Sequence, residues 1–185
     1  MLTPRFFALA LICPALLLLG EFFPFLTPIA ILFGLALLAL AWLDRRTAGA
    51  LDQFYIKREH DQKLSLGVPN QITIELTSRA ARSIEVTVRD APPSMFAGAD
   101  QSTIAATVAP RETTRLEYSL RPLQRGDYVF GDLNLRWLGP LHFYVRQAVV
   151  KAAAPVKVYP NLHEIRNYDL LARRDQLAEM GLRNI

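Results

Sequence analysis

The residues able to do chemistry in this chain are few and poorly spaced for it. Its three histidines are His60, His142 and His163, and a metal centre or an acid–base pair would need at least two of them to converge. None stands in an H-x-H, H-x-x-x-H or H-E-x-x-H pattern, so no metal ligands are assigned. Nucleophilic catalysis would need an elbow such as G-x-S-x-G with a base in reach; none occurs, and Ser94 after Pro92-Pro93 reads as a turn serine. The glycines never cluster as G-x-G-x-x-G or G-x-x-x-x-G-K, the loops whose backbone N–H groups cradle phosphates. No catalytic residue and no cofactor are expected, and the chain reads as non-enzymatic.

The most suggestive polar group is Arg121, Arg125, Gly126, Asp127 and Tyr128. One reading is a partner-binding corner, where a planar guanidinium meets a carboxylate beside a sharp turn. The other is structural: Gly126 supplies turn geometry, while Tyr128 packs and hydrogen-bonds as corner tyrosines of β-sandwiches do. Short basic clusters at Arg45-Arg46, Arg79 to Arg82 and Arg173-Arg174 are interspersed with acids and lack aromatic stacking platforms, so nucleic acid is not an expected partner.

The elements that would position these residues fall into two regimes. Among the first 43 residues only Arg5 and Glu21 are charged, and they cancel. Residues 44–185 therefore carry the remaining 20 basic and 16 acidic side chains, a net of +4, as an ordinary globular domain does. Residues 2–20 and 25–43 are apolar runs of 19 residues, and at about 1.5 Å rise per residue each reaches roughly 28 Å, close to the hydrocarbon thickness of a bilayer. Pro24 and Pro28 break the helix between them, so two antiparallel crossings are expected over residues 1–46. A cleavable signal peptide is the rival, but Glu21-Phe22-Phe23-Pro24 lacks a small-x-small cleavage site. The lone Cys13 lies inside the first run and excludes a disulfide framework within one chain. Arg5 stands near the start of the first run and Arg45-Arg46 follow the second, which predicts both ends in the cytoplasm: a multi-pass protein of a bacterial inner membrane with its globular domain inside the cell. The bilayer is then the first partner, and Arg5, Arg45 and Arg46 flank it.

From residue 52 the apolar period changes to two. Strands are expected at 53–58, 63–66, 71–77, 83–89, 103–108, 113–121, 127–137, 143–145 and 156–159, with Ile72, Ile74 and Leu76 on one face and the same pattern at Ile84, Val86, Val88 and at Leu116, Tyr118, Leu120. Turn residues separate them, notably Gly67-Val68-Pro69-Asn70, Ala91-Pro92-Pro93, Gln124-Arg125-Gly126-Asp127 and Gly139-Pro140. The expected fold is mainly β: an immunoglobulin- or fibronectin-like antiparallel β-sandwich over 52–160, preceded by the helical hairpin and followed over 161–185 by a linker and a short C-terminal helix.

The stretch Leu120-Arg121-Pro122-Leu123-Gln124-Arg125-Gly126-Asp127-Tyr128-Val129-Phe130-Gly131 resembles the RP…RG-x-Y-x-x-G segment of the bacterial domain of unknown function family fifty-eight. Trp137-Leu138-Gly139-Pro140-Leu141 is similar to that family's D-P-[LF]-G-L turn, and Val156-Lys157-Val158-Tyr159-Pro160 to its V-x-V-Y-P strand. The order of elements matches over essentially the whole chain. Two features depart from it. His142-Phe143-Tyr144 follow Leu141 where the family has a second glycine, a leucine and an apolar residue, and the family's downstream von Willebrand factor A-like domain does not follow. The resemblance implies a membrane protein working with a MoxR-type AAA+ ATPase and von Willebrand factor A proteins in assembling or activating envelope or other complexes, here as the N-terminal part of a longer product. The alternative expectation is a substrate-capturing subunit of an envelope-active enzyme or export complex, or a truncated product.

Overall fold

The computed structural model describes residues 1–160; the expected linker and helix over 161–185 lie outside the described residues. Three helices open the chain: α1 (Pro4–Ala10), α2 (Ile12–Gly20) and α3 (Leu26–Thr47). Pro4 at the start of α1 needs no backbone donor there, and the Thr3 side chain accepts from the Phe6 N–H to cap it. Of the two expected spans, the second forms a helix of 22 residues, long and apolar enough to cross a membrane, while the first gives the shorter apolar run Pro4–Gly20. Residues 1–3 are not helical, because Leu2 pairs as an isolated antiparallel bridge with Tyr144. Small residues let the helices approach: Ala30 and Ala41 are buried against the pair, and the Cys13 Sγ lies where a side chain on Gly34 would pack. Phe7, Leu18, Leu32, Leu35, Leu38 and Trp42, by contrast, are exposed on the outside of the helices, as is Phe22 in the turn between α2 and α3.

The remainder is mainly β. Eleven strands follow: β1 (Phe54–Glu59), β2 (Lys63–Ser65), β3 (Asn70–Ser78), β4 (Ile84–Arg89), β5 (Phe96–Ala97), β6 (Thr103–Val108), β7 (Thr113–Pro122), β8 (Gly126–Phe130), β9 (Leu133–Leu138), β10 (Val145–Val150) and β11 (Ala154–Tyr159). They form sheets in the orders β1-β3-β7-β5, β10-β9-β4-β6 and β2-β11-β8. The alternating residues of β3, β4 and β7 turn their apolar faces inward, and Ile72, Ile74, Leu76, Ile84, Val88 and Leu120 are each 0% exposed. Those side chains join Leu133, Leu135, Phe130 and Val156 in one core shared by all three sheets.

Three strand expectations differ from what forms. The run expected at 127–137 is two strands, broken where the Gly131 N–H turns away to the Ala91 carbonyl at 2.8 Å. The expected short strand at 143–145 is instead β10, starting at Val145, because the segment before it is occupied by the N-terminal residues and by Asp44. Not every pairing is antiparallel: β11 pairs β2 in parallel, a pairing open to strands separated by most of the domain.

Candidate functional site

Asp44 lies in the last turns of α3 and is fully buried. A carboxylate is unfavourable near a helix C-terminus, where carbonyl dipoles already concentrate negative charge. Backbone N–H groups offset that. Leu141 donates to Oδ1 at 2.6 Å, and Phe143 and Tyr144 donate to Oδ2 at 2.8 Å each. The turn Gly139-Pro140-Leu141-His142 thus wraps the carboxylate, with its Gly139 N–H bonded to Tyr144 O at 2.9 Å and its His142 N–H to Gly139 O at 3.1 Å.

The neighbouring segments lock onto the same place. The Trp137 indole donates to Ala48 O at 2.9 Å, and Arg146 Nη1 donates to Gly49 O at 2.6 Å. The start of the chain adds a short antiparallel pairing, with Thr3 N–H to Phe143 O at 2.9 Å and Val145 N–H to Met1 O at 2.7 Å. Thr3 Oγ1 also donates to His142 O at 2.7 Å. Since residues 1–3 and Asp44 both meet the 141–145 segment, the chain leaves the β domain through α1 and α2 and returns to it through α3. Phe6 packs edge-on against Phe143, centroids 6.2 Å apart, under the same loop.

The arginines at the ends of the apolar helices gather around this junction. Arg5 Nη1 meets His142 Nδ1 at 2.8 Å, and the other ring nitrogen of His142 lies 3.8 Å from Glu85. The Arg45 guanidinium sits over the Tyr144 ring, 5.6 Å from its centroid, and Arg46 over Trp42 at 4.7 Å. Arg82 reaches the Leu138 carbonyl at 3.4 Å, and its burial pushes its pKa below the ordinary guanidinium value.

The proposed corner resolves into separate contacts. Tyr128 OH donates to the Gln124 carbonyl at 3.2 Å, and its ring meets Phe96 edge-on at 5.1 Å. Gly126 adopts φ +154. Among the described residues the ion pair of Asp127 is with Lys157, at 3.6 Å and exposed, rather than with Arg121 or Arg125. Arg121 lies on β7 and Arg125 in the β7–β8 turn, both exposed.

A second polar cluster escaped the sequence reading. The Arg58 side chain is 2% exposed; it donates to Asp90 Oδ1 at 2.5 Å, to the Gly131 carbonyl at 3.1 Å and to the Ala152 carbonyl. Tyr118 OH donates to Asp90 Oδ2 at 2.6 Å. Burial, and then this bond to the carboxylate, push the Tyr118 phenol well above its ordinary value. The guanidinium also covers the Phe130 ring at 4.6 Å, and its Nε has no partner among the described residues. Arg58 and Tyr118 belong to one sheet, Asp90 follows β4 of the second, and Gly131 and Ala152 flank strands of the third, so the cluster ties the three together. The signal was present in the sequence: Arg58 is in phase with Phe54 and Ile56, and Tyr118 with Leu116 and Leu120, so both point at the core. No group of three or more His, Cys, Asp or Glu side chains able to hold a metal occurs among the described residues.

No protein-family model matches the chain, and no curated protein matches it either. Among solved structures, the segment of Escherichia coli alpha-2-macroglobulin from domain MG7 to the C-terminus aligns with a TM-score of 0.47 at 17% identity, over 58% of this chain and 16% of that one. The CARDB domain of a Pyrococcus furiosus protein aligns at 0.35 and 13% identity, over 57% of this chain and 87% of its own. A FixG-related protein from Vibrio parahaemolyticus aligns at 0.37 and 14% identity, over 58% and 98% respectively.

Proposed function

We propose that the chain is a membrane-anchored, non-enzymatic scaffold: a two-helix hairpin in a bacterial inner membrane that holds an immunoglobulin-like sandwich at a fixed height and orientation on the cytoplasmic side. The observation that carries this reading is the burial of Asp44 under the N–H groups of Leu141, Phe143 and Tyr144. A flexible tether would need none of these bonds, whereas a presenting platform needs the anchor and the presented domain to move as one body. The apolar exposure of α2 and α3 on the faces they do not turn toward each other supports lipid as their solvent. Arg5, Arg45 and Arg46 lie on the β-domain side of the helices, which supports a cytoplasmic domain under the positive-inside rule.

The partner follows from the resemblance to the domain of unknown function family fifty-eight: a MoxR-type AAA+ ATPase, with von Willebrand factor A proteins, in assembling or activating other complexes. The test is purification of the full chain from membranes in mild detergent with the MoxR-type ATPase of the same cell, with and without ATP. Stoichiometric capture is expected. A well-folded preparation that captures no ATPase under either condition would sink the partner assignment, and a reporter fused after residue 50 that is active only outside the cytoplasm would sink the orientation.

A further inference from the structure

Beside the Asp44 lock lies a notch of about 420 Å³ between the end of α3 and the edge of β10, where Met1 pairs with Val145 and joins the lining. Arg45, Tyr144 and Arg146 line it, with Trp137 and Leu51 behind, and no carboxylate is among its lining residues. Arg45 is exposed and lies over Tyr144, and Arg146 is held from behind by its bond to Gly49 O, so its position is fixed before any ligand arrives. Asp44, at the end of the same helix, is spent on backbone N–H groups and buried, and does not line the notch. The height matters as much as the charge. Leu26 to Leu43 cover about 27 Å at 1.5 Å per residue, so Arg45, two residues on, stands at headgroup level when α3 crosses a bilayer.

We propose that this notch is a binding site for the phosphate of an anionic phospholipid headgroup, taken by Arg45 and Arg146, with the acyl chains lying along the exposed apolar side of α3. Guanidinium groups match phosphate oxygens through paired N–H donors, and basic pockets at helix ends are where such headgroups are held. The proposal rests on the reading that α3 lies in a membrane. It separates Arg45, which lines the notch, from Arg46, which stacks on Trp42 one residue further round the helix and does not line it.

The test uses the full chain reconstituted into vesicles of equal parts phosphatidylglycerol and phosphatidylcholine, then released in mild detergent for native mass spectrometry of retained lipid. Phosphatidylglycerol should be retained over phosphatidylcholine, and Arg45→Gln should cut that retention about tenfold or more, the loss expected for a hydrogen bond between charged groups. Arg46→Gln should leave it within experimental scatter. Equal losses in the two variants would mean diffuse surface attraction and overturn the site, as would wild type that retains no phosphatidylglycerol excess. Millimolar glycerol phosphate should not displace the lipid; if it does, the site is one for a soluble phosphate and the lipid assignment is overturned. Extraction at alkaline carbonate distinguishes the two levels of failure. Protein released from vesicles by carbonate would remove the membrane reading and this proposal together, whereas protein that stays embedded without lipid preference removes only the proposal.

Discussion

The carboxylate of Asp44 fills the space in which residue 139 would carry a β-carbon, so Gly139 is glycine because a charged side chain from the end of α3 occupies its place. Neither residue is free to change alone. Asp44 brings the negative charge, and the Gly139 turn brings the N–H groups and the room that make its burial tolerable.

Removing the acceptor should therefore be costly. Asp44→Ala leaves N–H groups of Leu141, Phe143 and Tyr144 without partners, and at about 1 kcal/mol or more per buried donor the loss is about 3 kcal/mol. For a domain of this size that lowers Tm by about 10 °C. Gly139→Ala should fall in the same range, since its β-carbon overlaps the carboxylate rather than a yielding side-chain tip. Thermal unfolding of the detergent-solubilised full chain, followed by near-ultraviolet circular dichroism, reads both. A shift of 2 °C or less for Asp44→Ala would contradict the account of the lock.

How little of this lock the sequence reveals has a physical reason. Asp44 reads as the first charge after an apolar run, and nothing local distinguishes it from a solvated juxtamembrane side chain. Its partners are backbone groups 97 to 100 residues downstream, and backbone donors have no sequence signature. The strands were legible where side chains alternate: 103–108 forms at those bounds as β6, and β3 and β7 exceed their expected ranges by a residue or two. Alternation fails for β10, Val145-Arg146-Gln147-Ala148-Val149-Val150, because Arg146 takes an inward position beside Trp137 to reach Gly49 O. The helix ends shifted for a comparable reason, since Leu2 is apolar and Thr3 small enough for a span but they are claimed by Tyr144 and Phe143.

The Arg58–Asp90 pair should behave as a buried unit. Arg58→Met leaves the Asp90 carboxylate with only the Tyr118 donor and the adjacent Ala91 N–H, and truncating one member of a buried pair costs about 3–5 kcal/mol. The double variant Arg58→Met with Asp90→Leu should recover a substantial part of that loss, because no unpaired charge remains. Denaturant titration of the four proteins gives the coupling directly. Additive effects of the two single changes would show that the charges do not depend on each other.

Tyr118 predicts an alkaline limb. Its phenol pKa is raised in the folded protein, first by burial and then by its bond to Asp90. The contribution is fully present below the ordinary phenol value of about 10. Above it the unfolded chain loses a proton that the folded one keeps, so stability falls as pH rises toward the folded value. Comparing denaturant stability at pH 8 and pH 11 should show a larger drop for wild type than for Tyr118→Phe. Equal drops would assign the alkaline loss to the other tyrosines.

At the corner, the two readings of Arg125 and Tyr128 make opposite demands on one pair of variants. Tyr128→Phe deletes a solvent-exposed 3.2 Å bond to Gln124 O, which is worth about 1 kcal/mol or less. Arg125 is exposed in the β7–β8 turn, and a surface change of this kind stays within about 0.5 kcal/mol. Stability thus cannot report on the role of Arg125, but capture of the AAA+ ATPase can. If the corner is the partner-binding surface, Arg125→Glu should lower capture by tenfold or more at unchanged Tm, through loss of a guanidinium contact and repulsion from whatever acidic group met it. Tyr128→Phe should leave capture untouched, because its hydroxyl is directed back to its own turn. Undiminished capture by Arg125→Glu would leave the corner as turn geometry built on Gly126 and Tyr128, and the partner would have to be sought on another face of the β domain.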